Sequence, residues 1–244
     1  MKDILQDVVA HTHALGFLSL VKVTNDNEST IVEAMADDRS VILSATTTHR
    51  VADGTFGMPN LDKLALHLKN PEYQKDAKID VVTAERNGEV VPSELAFSMK
   101  GVFDSTYRVI VSEMVDAQIK TANFKGAKWD VEVMPSSKAV KDLQTFAGIL
   151  GSYDPLFTVK TEGNDLMFHI GDASTDKLSL KFASNVDGTL STGWSFPLST
   201  VLTILKLGDT SSMSIKISDQ GAMAIHVDSG MGLYEYILPA KSGN

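Results

Sequence analysis

Apolar positions change their spacing along the chain, and the changes mark elements. Over residues 2–15, Ile4, Leu5, Val8, Thr12 and Leu15 fall on one side of a helix and Asp3, Gln6, Ala10 and His13 on the other. Two β-type runs follow, 17–24 and 30–35, split by the turn-prone Asn25-Asp26-Asn27. Residues 41–48 predict another strand. Pro59 suits a first helical turn, Leu61, Leu64, Ala65 and Leu68 make that helix's apolar stripe, and Asn70-Pro71 ends it. Runs 78–83 and 89–91 flank Arg86-Asn87-Gly88, a hairpin signal because Asn-Gly tolerates positive φ. Runs 95–99 and 107–114 predict further strands.

The stretch 115–134 has neither period and reads as a connector that still carries apolar groups. The pattern then restarts. Ser136-Ser137 can cap a helix with the stripe Val140, Leu143, Ala147 and Leu150, closed by Gly148 and Gly151. Runs 156–160 and 166–170 flank the turn Gly163-Asn164-Asp165, and 178–184 and 190–196 predict strands. Pro197 opens a helix with Leu198, Val201, Leu202 and Leu205 on one side. Met213, Ile215 and Ile217 alternate with polar residues, as do Met223, Ile225 and Val227 across Asp219-Gln220-Gly221, and 232–238 is a last strand. One order of helices, hairpins and strands thus occurs twice. Its first helices start at 2 and 137, its second at 59 and 197. The fold class expected is α+β, two similar domains, each with two helices packed on antiparallel sheet. Their bounds are 1–115 and 135–244, with a connector at 116–134.

Composition narrows the chemistry. The 244 residues include no Cys, which excludes disulfides, thiolate catalysis and Cys-ligated metal. No apolar run approaches the ~20 residues of a membrane-spanning helix. Acids at Asp3 and Asp7 stand where a secretion signal is basic. A cytoplasmic protein with no membrane partner is expected, for which the triplet Asn27-Glu28-Ser29 is no glycosylation site. Net charge is −9. The four helical segments nevertheless hold Lys2, Lys63, Lys69, Lys138, Lys141 and Lys206 against Asp3, Asp7, Asp62 and Asp142, so the helical layer is mildly positive. Such a layer attracts phosphates weakly and without reading sequence.

Enzyme signatures are missing. The chain has no phosphate-cradling Gly-rich loop, no Gly-x-Gly-x-x-Gly and no Gly-x-Ser-x-Gly elbow. His11 and His13 point about 200° apart on a helix and cannot share a metal. His49, His67, His169 and His226 are scattered. Asp37-Asp38 and Asp172 read as solvated turns. No cofactor, metal or catalytic residue is expected.

The run Trp194-Ser195-Phe196-Pro197-Leu198-Ser199-Thr200-Val201-Leu202, the strands at 212–218 and 222–228, the ending Tyr234-Glu235-Tyr236-Ile237-Leu238-Pro239-Ala240-Lys241, and Val131-Glu132-Val133-Met134-Pro135-Ser136 before the third helix resemble the DNA polymerase sliding clamps. The resemblance is to the two-domain type, proliferating cell nuclear antigen (PCNA) and the tailed-phage processivity factors. It covers the whole chain in layout and the second half in letters. It implies a homotrimeric ring around double-stranded DNA, helices lining the hole, held without sequence preference. It implies a non-enzymatic processivity factor that tethers DNA polymerase, is opened by an ATP-dependent clamp loader, and acts in the host cytoplasm if phage-encoded. It places Lys63, Lys138, Lys141 and Lys206 toward DNA with Lys69 at the flank. Ile119, Phe124, Ile237, Leu238 and Pro239 would form a groove for a partner's hydrophobic peptide, and the ring would close through strand edges at 107–114 and 178–182. Two features depart from it. The outward face of helix 2–15 carries no Lys or Arg, and Leu66 sits near the polar side of its helix. The alternative from another class is a β-rich viral structural or assembly protein; a carboxylate-dependent hydrolase would need an acidic cleft that the pattern lacks.

Overall fold

A computed structural model describes residues 1–25, 29–119, 124, 126–171, 174 and 176–241. Asp26, Asn27, Glu28 and Asp172, and connector residues 120–123 and 125, lie outside the described residues. The chain divides into two compact units, Met1–Ala122 with Ser229–Tyr234, and Asn123–Asp228 with Glu235–Asn244.

The first unit runs α1 (Lys2–Ala10), β1 (Val21–Asn25), β2 (Thr30–Met35), β3 (Ile42–Thr47), β4 (Gly54–Met58), α2 (Leu61–Leu68), β5 (Lys78–Arg86), β6 (Glu89–Met99), β7 (Phe103–Arg108), β8 (Ile110–Val111) and α3 (Ser112–Gln118). Its strands pair antiparallel in the orders β8-β4-β1-β2-β3 and β5-β6-β7. The second unit runs β9 (Val131–Val133), α4 (Ser137–Leu150), β10 (Leu156–Glu162), β11 (Asp165–Ile170), β12 (Leu178–Ala183), β13 (Trp194–Pro197), α5 (Leu198–Ile204), β14 (Met213–Ser218), β15 (Ala222–Asp228) and β16 (Leu233–Pro239), the last from Glu235 onward, since Leu233 and Tyr234 belong to the first unit. Its orders are β12-β11-β10-β13 and β16-β15-β14-β9. In both units a helix leads into four strands in the spatial order fourth-first-second-third, then a helix, then three strands.

Alternation explains the sheets. Phe56, Val23, Val32 and Ala45 stand opposite one another across β4, β1, β2 and β3, and all are buried. In the second unit Val159, Phe168 and Leu180 form the matching row. Phe168 lies 4.8 Å from Phe157 and stacks on Phe182 at 4.2 Å. The Arg86-Asn87-Gly88 hairpin forms, with Asn87 at φ 52° and Gly88 at φ 83°.

Several elements differ from the sequence reading. The helix expected over 2–15 stops at Ala10, and a 3-10 turn at His13–Leu15 follows, ended by Gly16 at φ 83°. Leu15 stays buried, so the apolar spacing outlasts the α-helix. The strand expected over 107–114 breaks into β7, β8 and α3, so the first unit has a third helix. Gly57 makes room for it: a Cβ there would lie 2.6 Å from Ile110 and 2.8 Å from Val115, and Val115 is fully buried. Lys22 adds a polar tie, reaching Asp116 of α3 at 2.8 Å and Glu33 of β2 at 3.5 Å; the Asp116 hydrogen bond is the main reason its pKa is raised. β6 runs unbroken through Pro92, beside a register shift at Val82/Thr83 that accommodates the missing N–H. The strand expected over 190–196 is only Trp194–Pro197, and Leu190 donates instead from its N–H to Thr161 Oγ1 at 3.0 Å.

Candidate nucleic-acid face and partner groove

Helices α1 and α2 pack together in the first unit, and α4 and α5 in the second. α2 buries Leu61, Leu64, Ala65 and Leu68; α4 buries Ala139, Val140, Leu143 and Leu150; α5 buries Leu198, Val201, Leu202 and Ile204. A 3.6-residue period then turns Lys63, Lys138 and Lys141 outward, and all three are exposed. Lys69 is exposed at the C-cap of α2, and Lys206 is exposed just past α5. Ala147, expected in the buried stripe, is half-buried. Ser136 starts α4 by accepting a hydrogen bond from Ala139 N–H at 3.1 Å.

The lysines are not equivalent. Lys138 forms an ion pair with Asp142 one turn along α4. Among the described residues no carboxylate pairs with Lys63, Lys69, Lys141 or Lys206. Helix α1 exposes Asp3 and Gln6 but no base. Its second acid, Asp7, faces inward and accepts hydrogen bonds from the Tyr234 hydroxyl at 2.7 Å and the Ser229 hydroxyl at 2.9 Å. Lys2 sits 5.9 Å above the Tyr73 ring. Leu66 is 68% exposed on the lysine-bearing side of α2.

The five groove residues are placed differently from one another. Ile119 lies in the first unit as the C-cap of α3, only 5% exposed. The other four lie in the second unit. Phe124 is 37% exposed with its ring 6.1 Å from that of Trp129. Alternation fails at the end of β16, where Tyr236, Ile237 and Leu238 are all buried. Pro239 is exposed. Beyond it Ala240 N–H donates to the Gly221 carbonyl at 2.9 Å and Lys241 N–H to the Ser195 carbonyl at 2.8 Å.

A polar knot, which the sequence reading missed, fixes the end of the connector. Asp130 accepts from Lys128 at 2.8 Å and from Asp219 N–H at 2.8 Å; Lys128, with that backbone donor, holds its carboxyl below the usual range. Asp219 accepts from the Ser191 hydroxyl, Thr192 N–H at 3.2 Å and Trp194 Nε1 at 3.4 Å, and the Ser191 hydroxyl leads in lowering its pKa. Gly188 approaches this strand so closely that a Cβ would meet the Asp130 carbonyl at 1.8 Å. The only sequence signals were a Trp in a polar stretch and an Asp-Gln-Gly turn.

Other candidates stay apart. Asp37 is exposed in a turn where Asp38 accepts from Ser40 N–H at 2.9 Å. His11 is buried and stacked 4.1 Å from Tyr234, whereas His13 sits half-buried in the following turn. Among the described residues no three His, Asp or Glu gather as a metal site, and no helix is long and apolar enough to cross a membrane.

No family sequence model matches the chain, and no curated protein matches it in sequence. Solved structures do match in shape. The PCNA of A. fulgidus, solved with the C-terminal region of FEN-1 bound, superposes with a TM-score of 0.70 at 10% identity, over 100% of this chain and 96% of that one. The PCNA of Thermococcus kodakaraensis gives 0.67 at 11% identity, over 99% and 97%, and that of Entamoeba histolytica 0.65 at 13%, over 99% and 94%. At such identities the likeness establishes the fold, and over its whole length this chain has the α+β fold of the PCNA sliding clamps.

Proposed function

We propose that this chain is a sliding clamp: a non-enzymatic processivity factor whose three copies close around duplex DNA and tether a replicative polymerase. The observation that carries the reading is the whole-chain clamp fold combined with five lysines exposed on and beside α2, α4 and α5 of a chain whose net charge is −9. Ammonium groups on flexible stems, Lys63, Lys69, Lys138, Lys141 and Lys206, suit contact with phosphates that must not become tight. Residues 1–115 and 135–244 act as the two clamp domains and 116–134 as the connector. The ring closes through strand edges, β12 at 178–182 and, because 107–114 is broken into the end of β7, β8 and α3, β7 in place of that segment; an ATP-dependent loader opens it. The A. fulgidus protein binds the C-terminal region of FEN-1. On this chain a partner's apolar peptide anchors near Phe124 and Pro239 of the second unit, with Ile237 and Leu238 as the core behind them. The clamp acts in the cytoplasm, that of a host if phage-encoded.

The test joins mass and topology. Light scattering is expected to give three copies per particle. Protein loaded on nicked circular duplex is expected to stay through gel filtration and to leave when the circle is cut. A single-copy mass, a large shell-like assembly, or retention on linear DNA overturns the reading; the second outcome favours the viral assembly alternative.

A further inference from the structure

Leu66 is out of place on a face meant for phosphates, and its surroundings explain it. It borders a cleft of about 440 Å³ in the first unit, with Lys63, His67, Tyr73, Phe103 and Ser105 among the lining residues. The walls are aromatic: His67 stacks on Phe97 at 4.5 Å, and Tyr73 meets Phe97 and Phe103 edge-on at 6.1 and 6.4 Å. Phe103 and Ser105 belong to β7, an outer strand of its sheet, so the cleft lies beside an open strand edge. The second unit carries the counterpart. β12 is the outer strand of its sheet, and α4 packs along it. At and just after the C-terminal end of α4 protrude Ile149, 58% exposed, and Tyr153, 83% exposed, the most exposed large apolar side chain among the described residues. One surface is an open edge with an apolar socket beside it; the other is an open edge with an apolar knob beside it.

Charge agrees with shape. The socket is flanked by Lys63 and by Lys2, poised over Tyr73. The knob is flanked by Asp154 and by the carbonyl end of a 14-residue helix, which carries partial negative charge. Knob and socket are different surfaces of the same chain, so their contact is head-to-tail and repeats from copy to copy. We propose that Tyr153 of one copy, backed by Ile149, plugs the cleft lined by Leu66, Tyr73 and Phe103 on the next copy. The inference rests on the clamp reading and assigns its subunit contact to these side chains; Leu66 is then part of a joint between copies and has no task toward DNA.

The chain has no Cys, so thiols can be placed singly. Leu66→Cys and Tyr153→Cys proteins are made separately, mixed, and treated with a short bismaleimide. A two-chain product is expected in the mixture and in neither protein alone, and the double variant Leu66→Cys/Tyr153→Cys is expected to give a covalent three-chain species. Tyr153→Asp, at so exposed a position, is expected to keep its thermal unfolding as a separate chain while losing the three-copy species. Three-copy mass with no product in the mixture, or a Tyr153→Asp protein that stays three-copy, overturns the plug and leaves the clamp reading intact. A single-copy mass for the unaltered chain overturns both.

Discussion

The Lys138–Asp142 pair sets up a test of the lysine face that does not depend on simple loss of charge. An exposed pair spaced i, i+4 stabilises a helix by about 0.3–0.5 kcal/mol. Drawing Lys138 away from Asp142 onto a phosphate therefore costs about that much, or roughly a twofold loss in affinity for each Lys138 engaged. Asp142→Ala removes the competitor without harming α4, because Ala is the better helix former and Ser136 still caps the first turn. Affinity for a short duplex is expected to rise about twofold for each Lys138 that reaches a phosphate, although the substituted side chain touches no DNA. Among the described residues Lys141 has no such partner, so Lys141→Ala is expected to leave one phosphate without its cation. The slope of log K against log salt should become shallower by about 0.9 for each phosphate no longer neutralised. Fluorescence anisotropy of a labelled duplex across a fourfold range of salt measures both. If Asp142→Ala binds no more tightly and Lys141→Ala keeps the parent slope while the duplex still binds, α4 does not face the phosphates.

Two further predictions concern the fold. Gly57→Ala drives a Cβ into Ile110 and Val115, so α3 must shift; a loss of about 1–3 kcal/mol should lower the urea midpoint, and an unchanged midpoint would show that α3 does not pack on β4. Acid should destabilise in two windows. Burial lowers the His67 pKa from its ordinary 6.5, so the folded state favours neutral imidazole and the stability present above 6.5 is lost as pH falls below 6.5 toward the folded value; His226 lowers the Glu235 pKa from 4.5, and its share is lost as pH falls below 4.5 toward the folded value. Urea midpoints at about pH 7.5, 5.5 and 3.5 should fall at each step, the first step shrinking in His67→Gln; a flat profile removes both linkages.

Periodicity made the repeated architecture legible because both units bury one stripe per helix and one face per strand. Leu61, Leu64, Ala65 and Leu68 all occupy the core as their spacing required, and β2 begins and ends at the expected residues. Elements whose cause lies elsewhere in the chain were hidden. Nothing in Ser112–Gln118 distinguishes a helix from the end of a strand until Gly57, more than fifty positions earlier, leaves a hole for Val115. β4 was obscured by Gly54 and Gly57 themselves, which weaken a strand signal. The split of residues 2–15 was hidden because Leu15 is buried whether an α-helix or a 3-10 turn delivers it.

The two halves of the candidate site differ in the same way. The exposure of Lys63, Lys138 and Lys141 follows from a local rule, since a residue opposite an apolar stripe turns outward, whereas Lys69 and Lys206 stand at and past their helix ends and are picked out by the resemblance. A groove depends on segments that meet only after folding. Alternation allots Ile237 and Leu238 to opposite faces of a strand, so one should have been available to a partner, yet both faces at the end of β16 are covered and both residues are core. Deleting residues 237–241 would therefore remove core packing along with any partner contact, and weaker polymerase stimulation by such a protein would not isolate the groove. Pro239 and Phe124 are the members with exposed surface, so Phe124→Ala and Pro239→Ala separate binding from folding. The net charge misleads for a related reason: it sums the whole chain, whereas a polyanion senses only the groups that face it. Asp7, counted against the lysines in the sequence, is turned inward onto Ser229 and Tyr234, while Asp142 offsets Lys138 in the fold as it does in the count. The helical face is therefore more positive in the folded protein than the composition of its helices implies.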